Sequence, residues 1–225
     1  MDVRLLYHTP DPERAVAAAA RLCYAPIGAA ELLETLDEAA IQRVLKTVIT
    51  GGHTSTLEHA SFTFAIDGVS RAMTHQLVRH RLASYSQQSQ RYVSYDDPTF
   101  IVPPEIAADT ARQEQFLAAC QDMFARYRDL LDAGVPAEDA RYLLPNAVET
   151  KIVVTMNARE LYHFFTLRCC RRAQWEIREV ANRMLALAAE VAPYIFLDAG
   201  PSCRRGPCQE GKMTCGDPFP RVRRE

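Results

Sequence analysis

The sequence predicts an α+β fold, with helices packed around a small, mostly antiparallel sheet. Three observations carry that prediction. Segments with helical apolar spacing dominate the chain, and only a few short runs alternate in the manner of strands. Those runs do not alternate regularly with helices, as a parallel βαβ architecture requires. The length of 225 residues, with 48% hydrophobic content, suits one compact domain with a substantial core, or two small ones. A single domain is expected over 1–200, followed by an irregular, cysteine-containing tail over 201–225.

Each element follows from local chemistry. "VRLLYH" (3–8) reads as a short strand. Residues 11–24 read as a helix, with Asp11 as N-cap, Pro12 in the first turn and an Ala-rich body. Residues 36–50 form a second amphipathic helix, stopped by Gly51-Gly52. A polar segment (53–60) leads into a strand over 61–68 that ends on glycine. Ser70 caps a helix expected to end near Arg81, and 91–104 is extended and closed by prolines. In 109–134, Phe116, Leu117, Cys120, Met123, Phe124, Tyr127, Leu130 and Leu131 recur with helical period. A short helix between prolines (136–145), a strand (149–157) and two closing helices complete the order.

Composition narrows the function. The 26 cationic residues against 28 anionic ones give a net charge of -2. That balance argues against a broad face tracking polymeric nucleic acid, which needs many cationic contacts. No apolar run approaches the roughly 18 residues of a membrane span, and the N-terminal stretch lacks the features of a secretory signal. A cytoplasmic protein without membrane or polymer partners is expected. Seven cysteines, an odd number, do not read as a disulfide framework. The tail cysteines Cys203, Cys208 and Cys215 include no CxxC pair and no nearby histidine, so no metal site is expected.

The chemistry concentrates in "RHRLASYSQQSQRY" (79–92). Cations at a helix C-terminus are favourable by about 0.3–1 kcal/mol, which is a purely structural account of Arg79-His80-Arg81. The residues that follow add a different possibility. Ser84, Ser86, Ser89, Gln87, Gln88 and Gln90 bring neutral donors and acceptors, and Arg91 adds a guanidinium fork suited to a phosphate. A mononucleotide needs only two or three arginines, so a small nucleotide ranks above a polymer.

This stretch resembles the signature of the flavin-dependent thymidylate synthase family: Arg79-His80-Arg81, seven residues, then Ser89 and "QRY". "GGHTSTLEHASFTF" (51–64), "ARYLLP" (140–145), "NARELYHFFTLR" (157–168) and "AQWEIRE" (173–179) resemble further segments of that family, in consistent order. The resemblance implies a homotetramer that methylates dUMP, with methylenetetrahydrofolate as carbon donor, FAD as redox cofactor, NADPH as reductant and FAD sites shared between subunits. The absence of a GxGxxG fingerprint agrees with a flavin site that is not of the Rossmann type.

Carried over by position, the resemblance implies FAD contacts from His53, Ser55, Arg79, His80, Arg81, Gln87, Asn157, Ala158, Arg159 and His163. It implies dUMP contacts from Gln76, Leu77, Val78, Arg79, Gln87, Gln88, Ser89, Gln90, Arg91, Arg141 and Arg168. Two positions depart from the family pattern: Gln87 stands where many members have Glu, and Thr56 where Pro is expected. Arg168 is the catalytic candidate, implied to interact with uracil and favour loss of its N3 proton. A fixed guanidinium lowers the pKa of a neighbouring acid and stabilises the anion it leaves.

Three alternatives stand beside this. A surface arginine near the end of its helix is the structural account of Arg168. Thiolate attack from the Cys169-Cys170 pair is another chemical route to thymidylate. A nucleotide- or flavin-binding sensor without turnover would keep the same pocket.

Overall fold

The computed structural model describes residues 1–224. Its four strands are β1 (Asp2–His8), β2 (Ser61–Ser70), β3 (Ala83–Gln87) and β4 (Glu149–Asn157), in sheet order β1-β2-β4-β3. The register is antiparallel. The Thr9 amide after β1 donates to Ser61 at the start of β2 at 2.9 Å. The Ala158 amide after β4 donates to Ala60 before β2 at 2.7 Å, and Arg71 after β2 donates to Val148 before β4 at 3.0 Å. The helices are α1 (Pro12–Leu22), α2 (Ala29–Thr35), α3 (Glu38–Thr50), α4 (Arg71–Leu77), α5 (Pro104–Ala107), α6 (Thr110–Asp132), α7 (Ala137–Ala140), α8 (Ala158–Arg168), α9 (Trp175–Val191) and α10 (Pro193–Phe196). The α+β expectation holds, with a small antiparallel sheet. None of the described helices is long and apolar enough to cross a membrane.

The chain divides into two compact units, each discontinuous in sequence. The first comprises 1–2, 66–79 and 86–153. Its buried side chains include Ile66, Val69, Met73, Leu77, Tyr127 and Ile152. The second comprises 3–65, 80–85 and 154–225. Strand alternation sends Phe62 and Phe64 inward from β2, and Val154 and Met156 inward from β4. Phe196 meets Phe62 and Phe165 edge-on, with ring centroids 5.5 and 5.8 Å apart. Each inward aromatic contributes about 1.5–3 kcal/mol of burial.

Several elements differ from the sequence expectation. α4 stops at Leu77: the Val78 amide closes onto Thr74 and the Arg79 amide onto Gln76. Arg79-His80-Arg81 therefore follows the C-cap of the helix instead of forming its last turn. The Ser/Gln stretch contains strand β3, although its residues lack apolar alternation. Backbone pairing with β4 supplies what the side chains do not, with the Gln88 amide donating to Lys151 at 3.0 Å. β2 runs on to Ser70 through Gly68, which adopts φ +69 and where a Cβ would stand 2.9 Å from the Met1 nitrogen, so the position requires glycine. The last closing helix is broken at Ala192, since Pro193 has no amide to continue it. Glu13 then caps α10, accepting from the Tyr194 and Ile195 amides at 2.6 and 3.0 Å. Of the apolar row on α6, only Cys120 and Tyr127 are buried.

Tail residues pack within the second unit. Arg224 donates to the Asp198 carboxylate at 2.7 Å and to the Ile195 carbonyl at 2.9 Å. Val222 donates to the Arg204 carbonyl at 2.9 Å.

Candidate active site

In the second unit, the strand-to-helix junction after β4 builds a largely buried polar cluster. Asn157 is the N-cap of α8, its side-chain oxygen accepting from the Glu160 amide at 2.9 Å. That start sets the phase of the helix. Glu160, Phe164 and Arg168 then recur every four residues and form one stripe along α8. The His80 ring lies against all three. Its Nδ1 is 3.3 Å from Glu160 Oε1, its ring meets Phe164 edge-on at 4.9 Å, and the Arg168 Nε–H donates to its Nε2 at 3.0 Å. His163 stands beside it, with ring centroids 6.0 Å apart. The Tyr85 hydroxyl donates to the His80 carbonyl at 2.8 Å.

The electrostatics fix the protonation state. Burial, then the Arg168 guanidinium, then His163, hold the His80 pKa down to about 4. His80 is therefore neutral near pH 7. Its contact with Glu160 is a hydrogen bond to a neutral ring, not an ion pair. Burial also raises the Glu160 carboxyl above its usual value. Because an arginine can only donate, Nε2 must carry the lone pair and Nδ1 the hydrogen.

The other flavin candidates of this unit lie elsewhere on it. His53 and Ser55 line a cavity of about 660 Å³, together with Arg21, Tyr24, Arg43 and Thr56. Arg159 pairs with Glu58, both about half exposed. Ala158 is buried and its amide is engaged by Ala60. Arg81 and His163 are exposed. Both ring nitrogens of His80 are engaged within the chain.

In the first unit, Glu138 gathers two nucleotide candidates. Its carboxylate accepts from Arg91 Nε at 2.7 Å, and its backbone carbonyl accepts from Arg141 Nε at 3.0 Å. Arg71 belongs to the same group: burial is the main cause of its lowered pKa, Tyr95 opposes the shift, and the nearby Arg141 charge adds to it. Sequence reasoning singled out Arg91 and Arg141 but missed Arg71 and Glu138, which read locally as ordinary helix-start residues. The Gln87 amide nitrogen donates to Thr74 Oγ1 at 3.0 Å and to Thr150 Oγ1 at 3.3 Å. Gln90 is buried and hydrogen-bonds Tyr95. The Ser89 hydroxyl accepts from the Arg91 amide at 3.2 Å, which shapes the loop around that guanidinium. Gln76 and Gln88 are half-buried, Leu77 is buried, and Val78 and Arg79 are exposed.

Burial pushes the Cys169 thiol up to about 12, so it is not a thiolate near neutrality. Cys170, Cys203, Cys208 and Cys215 border a cavity of about 30 Å³. Among the described residues, no group of three or more His, Cys, Asp or Glu side chains is placed to hold a metal ion.

The model of the thymidylate synthase complementing protein family matches residues 4–194. A flavin-dependent thymidylate synthase of Geobacter sulfurreducens is 61% identical over 218 residues, covering 96% of this chain and 94% of the relative. One from Clostridium tetani is 49% identical over 230 residues, covering 95% and 92%. Among solved structures, a UMP/dUMP methylase, PolB, from Streptomyces cacaoi, bound with 5-Br dUMP, superposes with a TM-score of 0.74 at 27% identity. That alignment covers 87% of this chain and 93% of PolB. With its motifs in order and more than nine-tenths of its length matched by such relatives, the chain belongs to the flavin-dependent thymidylate synthase family.

Proposed function

We propose that the protein makes dTMP from dUMP by reductive methylation, with methylenetetrahydrofolate as carbon donor, FAD as redox cofactor and NADPH as reductant. The observation that carries this reading is the 61% identity, along 96% of the chain, to a flavin-dependent thymidylate synthase. The solved relative that holds 5-Br dUMP supports a uracil nucleotide as substrate.

The residues fit these roles. Arg91 and Arg141, both tethered to Glu138, are forks for the nucleotide phosphate. Arg168 is the group for the uracil. Its Nε is committed to His80, so the orientation of the guanidinium is set before substrate arrives. Beside N3–H it lowers that proton's pKa and stabilises the anion, which makes C5 more electron-rich. An un-ionised Cys169 weighs against the thiolate route.

The cavity lined by His53 and Ser55 offers an aromatic ring, a hydroxyl and two guanidiniums, a donor set suited to a flavin and its pyrophosphate. When bound, the flavin supplies hydride transfer. Asn157 spends its carbonyl on the helix cap, which leaves its NH₂ as a donor. Homotetramer assembly is part of the proposal, supported by exposed apolar side chains flanking the Arg79-His80-Arg81 run, Val78 and Leu82.

The experiment is tritium release from [5-³H]dUMP with the folate donor and NADPH, on protein whose visible spectrum shows bound flavin. Turnover that depends on both the folate donor and NADPH is expected. Colourless protein that stays inactive after FAD is added refutes the reading, and dUMP binding without tritium release points to a sensor.

A further inference from the structure

We infer that Glu160 is a positioning residue for the methylation, acting through His80 to set the orientation of Arg168. The inference rests on the function proposed above, in which Arg168 faces the uracil. It is carried by the chain of contacts Glu160–His80–Arg168 and by the hydrogen count along it.

His80 can occupy three states, and only one satisfies both neighbours. An imidazolium presents N–H groups on both sides and so opposes the Arg168 Nε–H with another donor. The Nε2–H tautomer makes the same clash and turns a lone pair toward the Glu160 carboxylate. The Nδ1–H tautomer donates to Glu160 Oε1 and accepts from Arg168 Nε, at 3.3 and 3.0 Å. A carboxylate at position 160 thus selects the one ring state that can hold Arg168.

Burial gives the arrangement its weight. The side chains of His80 and Glu160 are 4% and 6% exposed. A carboxylate taken out of water is costly unless it is hydrogen-bonded. Nothing about the packing requires the charge, since Phe164, Leu161 and Phe165 on the same helix are buried apolar side chains. The Glu160 amide is already satisfied by Asn157, so the side chain is not needed for the helix start. Its carboxylate meets His80, and His80 in turn meets Arg168.

The test compares Glu160→Leu with Glu160→Gln in the flavin-loaded enzyme. Leucine removes the acceptor; glutamine keeps an oxygen that can accept from Nδ1–H. For Glu160→Leu, kcat for dTMP formation is expected to fall roughly 10- to 100-fold, in the range of lost orienting partners. KM for dUMP is expected to move by less than about threefold, since a transition-state interaction is what has been lost. Glu160→Gln recovers most of that loss. ¹⁵N-histidine NMR supplies a readout independent of activity. Wild type and Glu160→Gln show His80 with a protonated Nδ1, and Glu160→Leu shows a mixture of tautomers.

Equal kcat in wild type and Glu160→Leu overturns the inference, as does a wild-type His80 protonated on Nε2. If Glu160→Leu does not fold, the wild-type tautomer and the Glu160→Gln rate still decide it. If wild type makes no dTMP, the proposed function fails, while the tautomer measurement still tests the positioning chain.

Discussion

The neutrality of His80 on which that chain depends can be measured directly by lowering the pH. Burial is the main cause of its depressed pKa, with the Arg168 charge second and His163 third, and together they bring it to about 4. An unperturbed histidine titrates near 6.5. At pH 5 an exposed histidine is neutral in only about 3% of molecules, whereas His80 is expected to be neutral in roughly 90%. The sign for stability follows from which state binds the proton. Between about pH 6.5 and 4 the unfolded chain takes up a proton that the native ring refuses. The stabilisation is thus fully present above 6.5 and is lost as the pH falls towards 4, up to ~3 kcal/mol. Glu160 opposes this, because its raised pKa lets the native state bind a proton earlier than the unfolded state does. Whole-protein acid unfolding therefore mixes two opposite contributions, and site-resolved histidine NMR is the clean assay. With His80→Gln used for assignment, the His80 resonance is expected to hold its neutral shift down to about pH 5. In Arg168→Gln its midpoint rises but stays below 6.5, since burial outranks the removed charge. A wild-type midpoint at or above 6.5 refutes the reasoning, because a protonated ring cannot accept from Arg168.

Two further outcomes follow from the same structure. Arg91→Ala and Arg141→Ala are each expected to raise KM for dUMP by roughly 10- to 100-fold with a smaller effect on kcat, the loss of a charge-assisted hydrogen bond to phosphate; initial rates against dUMP concentration check this. Arg224→Ala leaves the Asp198 carboxylate without its guanidinium partner, in a pair whose side chains are 5% and 10% exposed. Denaturant unfolding is expected to show a loss of about 3–5 kcal/mol, and an unchanged midpoint would mean that the tail contact does not stabilise the second unit.

Much of the fold was legible in the sequence, for identifiable reasons. The alternation of Phe62, Phe64 and Ile66, and of Ile152, Val154 and Met156, marks β2 and β4 as strands with one buried face. Asp11, Asp37, Ser70 and Asn157 all cap helices through their side chains, which makes those starts readable. α2 escaped because its N-cap, Gly28, makes no side-chain hydrogen bond. β3 escaped because Ser, Tyr and Gln carry no apolar signal, and its pairing is a property of the sheet. The apolar row on α6 has helical period, but period alone does not say how much of a face is covered.

For the candidate site, Arg91 was legible through the spaced family motif, and Arg141 and Arg168 through the shorter segments that resemble the family. Their organisers were not. Glu160 lies 80 residues from His80, and a glutamate in the first turn of a helix reads as a favourable, solvated charge. Glu138 reads the same way until Arg91, 47 residues away, is seen on its carboxylate. Which long-range partner a carboxylate takes is decided by tertiary packing.

The most direct test of the central claim, that Arg168 acts on the uracil, is the rate of tritium release from [5-³H]dUMP by Arg168→Ala, read against the Kd for dUMP of the same sample. A drop of roughly 10²- to 10³-fold in rate, with a Kd within about threefold of wild type, is the predicted result. Wild-type release by that variant would contradict the account, and so would a loss of rate fully explained by lost nucleotide binding.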